Sequence, residues 1–201
     1  MTRCYSDCVP IRHPHLPRRL PDLWLISDKR IDAHLERALA RLPRHSGFIY
    51  CHYHLESSQR HARFRKLARE AARRGHVIVL SGTAREARQW GAAGAYGAPH
   101  RLAHGPAVLR LATAHSLREL RQANLGRADL VLLSPVFPTR SHPGAPSLGP
   151  VRFRLLAARS RVPVVALGGM NAHRARAIGA RKWAAIQGLV KAPTSMFPIH
   201  S

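Results

Sequence analysis

The densest grouping of ligand-binding residue types runs from Ser134 to Gly149, SPVFPTRSHPGAPSLG. Thr139 and Ser141 supply hydroxyls, and the glycines let backbone N–H groups approach a ligand closely. The segment follows an apolar run, Leu130–Leu133, that reads as a buried strand. Hydroxyls and amides gathered just past a strand end are what α/β proteins use to hold phosphorylated ligands. A second such loop follows VVALGG, where Gly168 and Gly169 close an apolar run and Asn171 is placed to cap a helix. Two phosphate-compatible loops, each after a parallel-type strand, point to a small phosphorylated metabolite.

The elements that must position these loops alternate along the chain. Apolar runs predict strands over 23–27, 48–53, 77–80, 93–96, 108–113, 130–133, 164–167 and 183–187. Between them, Leu35, Ala38, Leu39 and Leu42 recur at helical spacing behind Asp32 as a cap, and 57–74 buries Phe64, Leu67, Ala68 and Ala71. Thr83–Glu86 and Ser116–Glu119 fit the S/T-x-x-E capping box. Eight strands interleaved with helices predict a parallel (β/α)8 TIM barrel over residues 21–190, with an open doubly wound sheet as the rival. Pro193 and Pro198 deny a good eighth helix, so it should be short or missing. Residues 1–20 read as an unstructured basic tail and 191–201 as a C-terminal tail.

Composition sets the partners. The 201 residues are 45% hydrophobic, as a globular domain requires, but hold 33 Lys and Arg against 10 Asp and Glu. Such a balance attracts phosphates or nucleic acid, although the arginines are spread rather than clustered, so nucleic acid is expected only through non-specific charge. Cys4, Cys8 and Cys51 form no disulfide framework, and Cys4 and Cys8 with His13 and His15 match no common zinc spacing. No apolar run approaches the roughly 18 residues needed to span a bilayer, and a cytoplasmic setting is expected.

The long loop strongly resembles the segment after the sixth strand of the thiamine phosphate synthase and TenI family, GPVFPTxTKxxxxPLG. LWLISD (23–28), ATAHSLRE (112–119) and VVALGGMN (164–171) resemble further segments of that family in the right order. The resemblance implies a barrel acting in thiamine biosynthesis on a thiazole phosphate. In the synthases a pyrimidine diphosphate ionises and the thiazole nitrogen attacks the carbocation, while Mg²⁺, Arg and Lys hold the leaving diphosphate. In TenI-type tautomerases a histidine moves a proton, and His115 matches it; imidazole suits that task because it titrates at about 6.5.

The departures fall on the diphosphate side. Where the family has Q-L-R-E-K, this chain has Tyr50, Cys51, His52, Tyr53 and His54. Ser81 and Gly82 replace an Asn-Asp pair, the Mg-binding Asp falls near His100 or Arg101, the loop Lys becomes His142, and Tyr96 replaces a His as packing. No carboxylate follows the third or fourth strand except Glu86, which the capping box claims, so no metal and no cofactor is expected, Mg²⁺ entering only for a true synthase. The thiazole-phosphate half is better kept: Thr139, Ser141, Gly168 and Gly169 on the phosphate, with Gln187 and Gly188 adding N–H donors.

Three functions follow in order: a TenI-like proton transfer by His115, a thiamine phosphate synthase proper, and an inactive ligand-sensing or nucleic-acid-binding barrel. His115 could instead be satisfied by a backbone carbonyl. His52 and His54, two apart on a strand, should point the same way. With His142 and Ser81 they could form a diphosphate-side cluster, or be residues whose purpose has been lost, or hold a metal.

Overall fold

The computed structural model describes residues 19–139, 141, 144 and 146–190. The apolar runs become eight parallel strands: β1 (Leu23–Ile26), β2 (Gly47–Tyr50), β3 (Val77–Ser81), β4 (Gly94–Gly97), β5 (Leu109–Ala114), β6 (Leu130–Leu133), β7 (Val164–Ala166) and β8 (Trp183–Ala185). Each pairs with the next and β8 returns to β1, with Leu25 opposite Phe48 on one side and Ala185 on the other. The sheet is thus a closed barrel, not an open doubly wound sheet, and it leaves no unpaired edge.

Side-chain alternation divides the core in two. Trp24 and Ile26, Ile49, Val79, Leu109 and Leu111, Leu130 and Leu132 fill the barrel interior. The intervening Leu25, Phe48, Tyr50 and Leu80 pack outward on the helices, against Leu35, Leu39, Phe64 and Leu67. Those helices are α1 (Leu35–Arg41), α2 (Ser57–Arg73), α3 (Ala84–Gln89), α4 (Pro99–Leu102), α5 (Leu117–Leu125), α6 (Gly149–Ala157) and α7 (Ala172–Ala177). After β8 the described residues hold one 3-10 turn, Gln187–Leu189, where an eighth helix would begin.

Local chemistry shifts several boundaries. Asp32 is not the cap of the first helix: Asp28 accepts the Arg30 N–H and starts a 3-10 turn, Lys29–His34, that leads into α1. The second strand stops at Tyr50, three residues short of expectation, because the chain turns at His52 into the left-handed region, φ 42°. Thr83 and Glu86 form the full reciprocal capping box, whereas at α5 Ser116 accepts the Glu119 N–H but the Glu119 carboxylate reaches past Ser116 to the N–H of His115. Of the expected N-terminal tail, Arg19 and Leu20 belong to the fold: Arg19 pairs with Asp22 and Leu20 packs on the inner core. The rest of that tail and residues 191–201 lie outside the described residues.

One glycine carries the interior packing of the first strand pair. A Cβ on Gly47 would fall on the Trp24 indole, which is fully buried and fixed by its Nε1–H bond of 3.0 Å to the Pro21 carbonyl. The ring cannot yield without losing that bond. Gly47→Ala therefore destabilises the barrel by about 1–3 kcal/mol, the usual effect of overpacking, read as a lower urea midpoint.

Candidate functional site

The strands β6 and β7 go on pairing after they leave the barrel. Val136 N–H donates to the Leu167 carbonyl at 2.8 Å and Phe137 N–H to the Gly168 carbonyl at 3.1 Å. The two loops lie so close that a Cβ on Gly168 would stand 2.6 Å from Pro135 Cα, and one on Gly169 2.6 Å from the Pro138 carbonyl oxygen. Both glycines also take positive φ, 95° and 62°, so packing and backbone shape each demand glycine here.

Around this seam lies a cavity of about 360 Å³. It brings together all six residues expected on the phosphate: Thr139, Ser141, Gly168, Gly169, Gln187 and Gly188. Two guanidiniums line the same cavity, Arg30 from the loop after β1 and Arg174 from the first turn of α7. Arg30 donates to both Asp28 carboxylate oxygens and reaches across the mouth to Ser141 Oγ at 2.9 Å. Arg174 donates to the Gly169 carbonyl at 2.5 Å and lies 4.8 Å from the centre of the Phe137 ring. Sequence reasoning overlooked both arginines. Arg174 follows the Asn171 cap by three residues, and Arg30 reaches the cavity only because closure sets β1 beside β8.

His115 does not line this cavity; it follows β5 and is exposed. Its Nδ1 donates to the Ser134 carbonyl at 2.8 Å, with Ser134 Oγ at 3.2 Å, so the proton is fixed on Nδ1. Nε2 keeps its lone pair and, among the described residues, has no partner. Ser134 precedes Pro135, which backs onto Gly168, so a single short segment joins the imidazole to the cavity wall.

The opposite half of the mouth is occupied by its own side chains. His52 is 1% exposed, stacked on Tyr50, with Nδ1 2.8 Å from Ser27 Oγ and Nε2 2.7 Å from Asp32 Oδ1. Both nitrogens are engaged, and His54, although exposed, keeps its ring 5.1 Å from that of His52, so the two imidazoles lie together even though the strand has ended at Tyr50. Burial pushes the His52 imidazole below its ordinary value against the opposing pull of Asp32, so it is not a cation for a diphosphate. Arg63 continues this chain from Asp32 to Glu36, whose carboxyl the guanidinium holds down at about 2. His142 lies outside the described residues.

Ser81 is buried against the Tyr53 hydroxyl, and its carbonyl accepts Arg60 Nη2 at 2.7 Å. Arg60 also holds the Cys51 carbonyl at 2.9 Å and sits over Tyr50, Tyr53 and Trp90. Glu86 is committed to the Thr83 N–H and hydroxyl, while His100 and Arg101 are exposed on α4. Tyr96 packs against the inner core, where burial pushes its hydroxyl up. A hard divalent cation needs several oxygen ligands, and here a guanidinium already occupies the strand-end carbonyls. These residues do not fit a Mg²⁺–diphosphate site.

A closed parallel barrel with its cavity at the C-terminal ends of the strands defines a (β/α)8 protein of the kind that works at that face. The family model described as thiamine monophosphate synthase matches residues 23–189, and the chain belongs to that family. It is 40% identical to the putative thiamine-phosphate synthase 2 of Aquifex aeolicus (strain VF5) over 59 residues, 29% of this chain and 32% of that one. The matched stretch thus spans about a third of the relative's length. The fold is similar to that of a thiamine phosphate pyrophosphorylase from Pyrococcus furiosus, with TM-score 0.71 and 22% identity over 84% of this chain and 86% of that one. A thiamine phosphate pyrophosphorylase from Bacteroides thetaiotaomicron is similar at TM-score 0.55 and 14% identity, over 84% and 83% of the two chains. No helix among the described residues is long and apolar enough to cross a membrane.

The buried imidazoles give this half of the molecule a pH dependence. His76, like His52, is pushed down by burial; its Nδ1 lies 3.1 Å from the Ser46 nitrogen and accepts that N–H, so the ring is neutral. Unfolded histidines bind protons below about 6.5 while these two stay neutral, so the unfolded state gains protons and stability falls as pH drops through that value. Urea midpoints should be lower at pH 5.5 than at 7.5, with a slope of at most about 1.4 kcal/mol per pH unit for each histidine. His76→Gln should flatten the slope; an unchanged slope in that variant would remove His76 from the account.

Proposed function

We propose that this member of the family binds a thiazole phosphate and moves a proton on it, in the manner of the TenI-type tautomerases, rather than joining two substrates. The observation that carries this reading is the His115 imidazole, with one nitrogen pinned to the Ser134 carbonyl and the other keeping its lone pair. A base needs that division: the anchored N–H fixes the tautomer and the ring's direction, and the free nitrogen meets the substrate. The phosphate is held by Thr139, Ser141 and the Gly168, Gly169 and Gly188 backbone, with Arg30 and Arg174 balancing its charge. The ring then lies towards Ser134 and Pro135. His115 Nε2 takes a proton from one carbon of the substrate and the resulting imidazolium returns it to another, so no atom is gained or lost.

The second reading is the synthase itself, favoured by the names of the relatives. It needs a leaving diphosphate to be stabilised, and the Arg60, Tyr53 and Ser81 cluster supplies no carboxylate for Mg²⁺, its hydroxyls and carbonyl being bonded within the cluster. The third, a non-catalytic barrel, would bind the phosphate ligand but turn nothing over.

Isomerisation of a thiazole phosphate, followed by NMR, separates them. His115→Ala should slow it by about 10²-fold or more while the phosphate affinity stays unchanged. An unchanged rate would sink the proton-transfer assignment. Supplying pyrimidine diphosphate, thiazole phosphate and Mg²⁺ together should give no thiamine phosphate beyond background, and steady formation of it would establish the second reading instead. Arg174→Met, which keeps the apolar contact with Phe137, should weaken phosphate binding by about tenfold.

A further inference from the structure

The phosphate cavity has a neighbour. A second cavity, of about 370 Å³, lies against α1 and shares two wall residues with the first, Arg30 and Gln187. Its other polar lining is His34, Arg37 and Arg41, over a floor of Ile31 and Ala38. Positions 30, 34, 37 and 41 recur at helical spacing, so the 3-10 turn and α1 present them as one stripe.

Beyond Arg30, which Asp28 pairs, that stripe carries no compensating acid among the described residues. The turn and helix do contain Asp32 and Glu36, but both are turned to the α2 side, where Arg63, Lys66 and His52 take them. Asp28 is clamped by Arg30 at the shared wall. Among the described residues neither Arg37 nor Arg41 has an acidic partner, and both are exposed. Like charges held along one face of a helix repel each other, and an anion laid across them relieves that repulsion. Apart from Arg30 and Arg174, the described lining of the first cavity is uncharged.

Resting on the reading of the first cavity as a phosphate site, we infer that the anion site is bipartite. The first phosphate sits on the glycines that follow β7 and β8, Arg30 lies between, and a second anionic group of the same ligand reaches Arg37 and Arg41. The ligand class is a small phosphate ester that carries a further anionic group away from the first, held by arginines without a metal ion. This subsite is on the α1 flank of the barrel, separate from the ends of β2 and β3 where His52, Ser81 and Arg60 stand.

Calorimetric titration of the full-length protein at one ionic strength tests it, with inorganic phosphate and inorganic tripolyphosphate as the probes. Tripolyphosphate should bind at least about tenfold more tightly than phosphate, a difference of about 1.4 kcal/mol. In the R37A/R41A variant that advantage should shrink below about threefold while phosphate binding is unchanged. The R118A/R121A variant removes the same charge from exposed positions on α5 and should keep the advantage intact. Equal affinities in the unaltered protein, an advantage that survives R37A/R41A, or one lost equally from R118A/R121A would each overturn the second subsite. Failure of phosphate itself to bind would overturn the first cavity's assignment as well, so the two can be told apart.

Discussion

The cavity exists because two chain segments stay hydrogen-bonded beyond the barrel they came from. The Val136 and Phe137 amides seal the exit of β6 to that of β7, at a separation only glycine tolerates at positions 168 and 169. The β6 and β7 side of the cavity hangs from that seam. Pro135, backed against Gly168, fixes where Ser134 points its carbonyl, and that carbonyl fixes His115. Phe137 gives Arg174 a surface to lie on, and the Gly169 carbonyl gives it a direction. A displacement of the seam would therefore shift the His115 imidazole and the Gly168–Gly169 wall of the cavity together.

The other half of the mouth is built on a different principle. There the strand ends are tied by side chains to side chains, with Arg60 clasping two carbonyls inside three aromatic rings and the Ser27, His52, Asp32, Arg63 and Glu36 chain running outward. Such a network is satisfied within itself. It stiffens the ends of β1 to β3 and leaves few polar atoms there without a partner in the protein.

How much of this the sequence displays depends on whether the signal is local. The strand series, the Thr83 and Asn171 caps and the six residues that come to line one cavity depend on short-range patterns, and all stand in the sequence as written. The barrel is legible for the same reason, since alternation of strand and helix is a property of consecutive residues. What is hidden is set by contacts between distant segments. Arg30 joins the cavity across the β1–β8 closure, 111 residues from the Ser141 it touches. His52 and His54 keep neighbouring rings, as their spacing suggests, but the burial of one and the exposure of the other depend on the turn at His52 and on Ser27 and Asp32, which are distant in the chain. Asp32 sits where a cap would, yet Asp28 does that work and Asp32 becomes the hub of an ion network that no spacing rule reveals.

The capping arm of Glu119, which lands on the amide of His115 rather than on Ser116, has a consequence of its own. Helix α5 is only nine residues long, and its first turn is tied directly to the backbone of the candidate base. Fraying of that turn would release the amide and loosen the imidazole at once. The geometry at His115 would then follow the fraying of one helix end rather than the unfolding of the barrel.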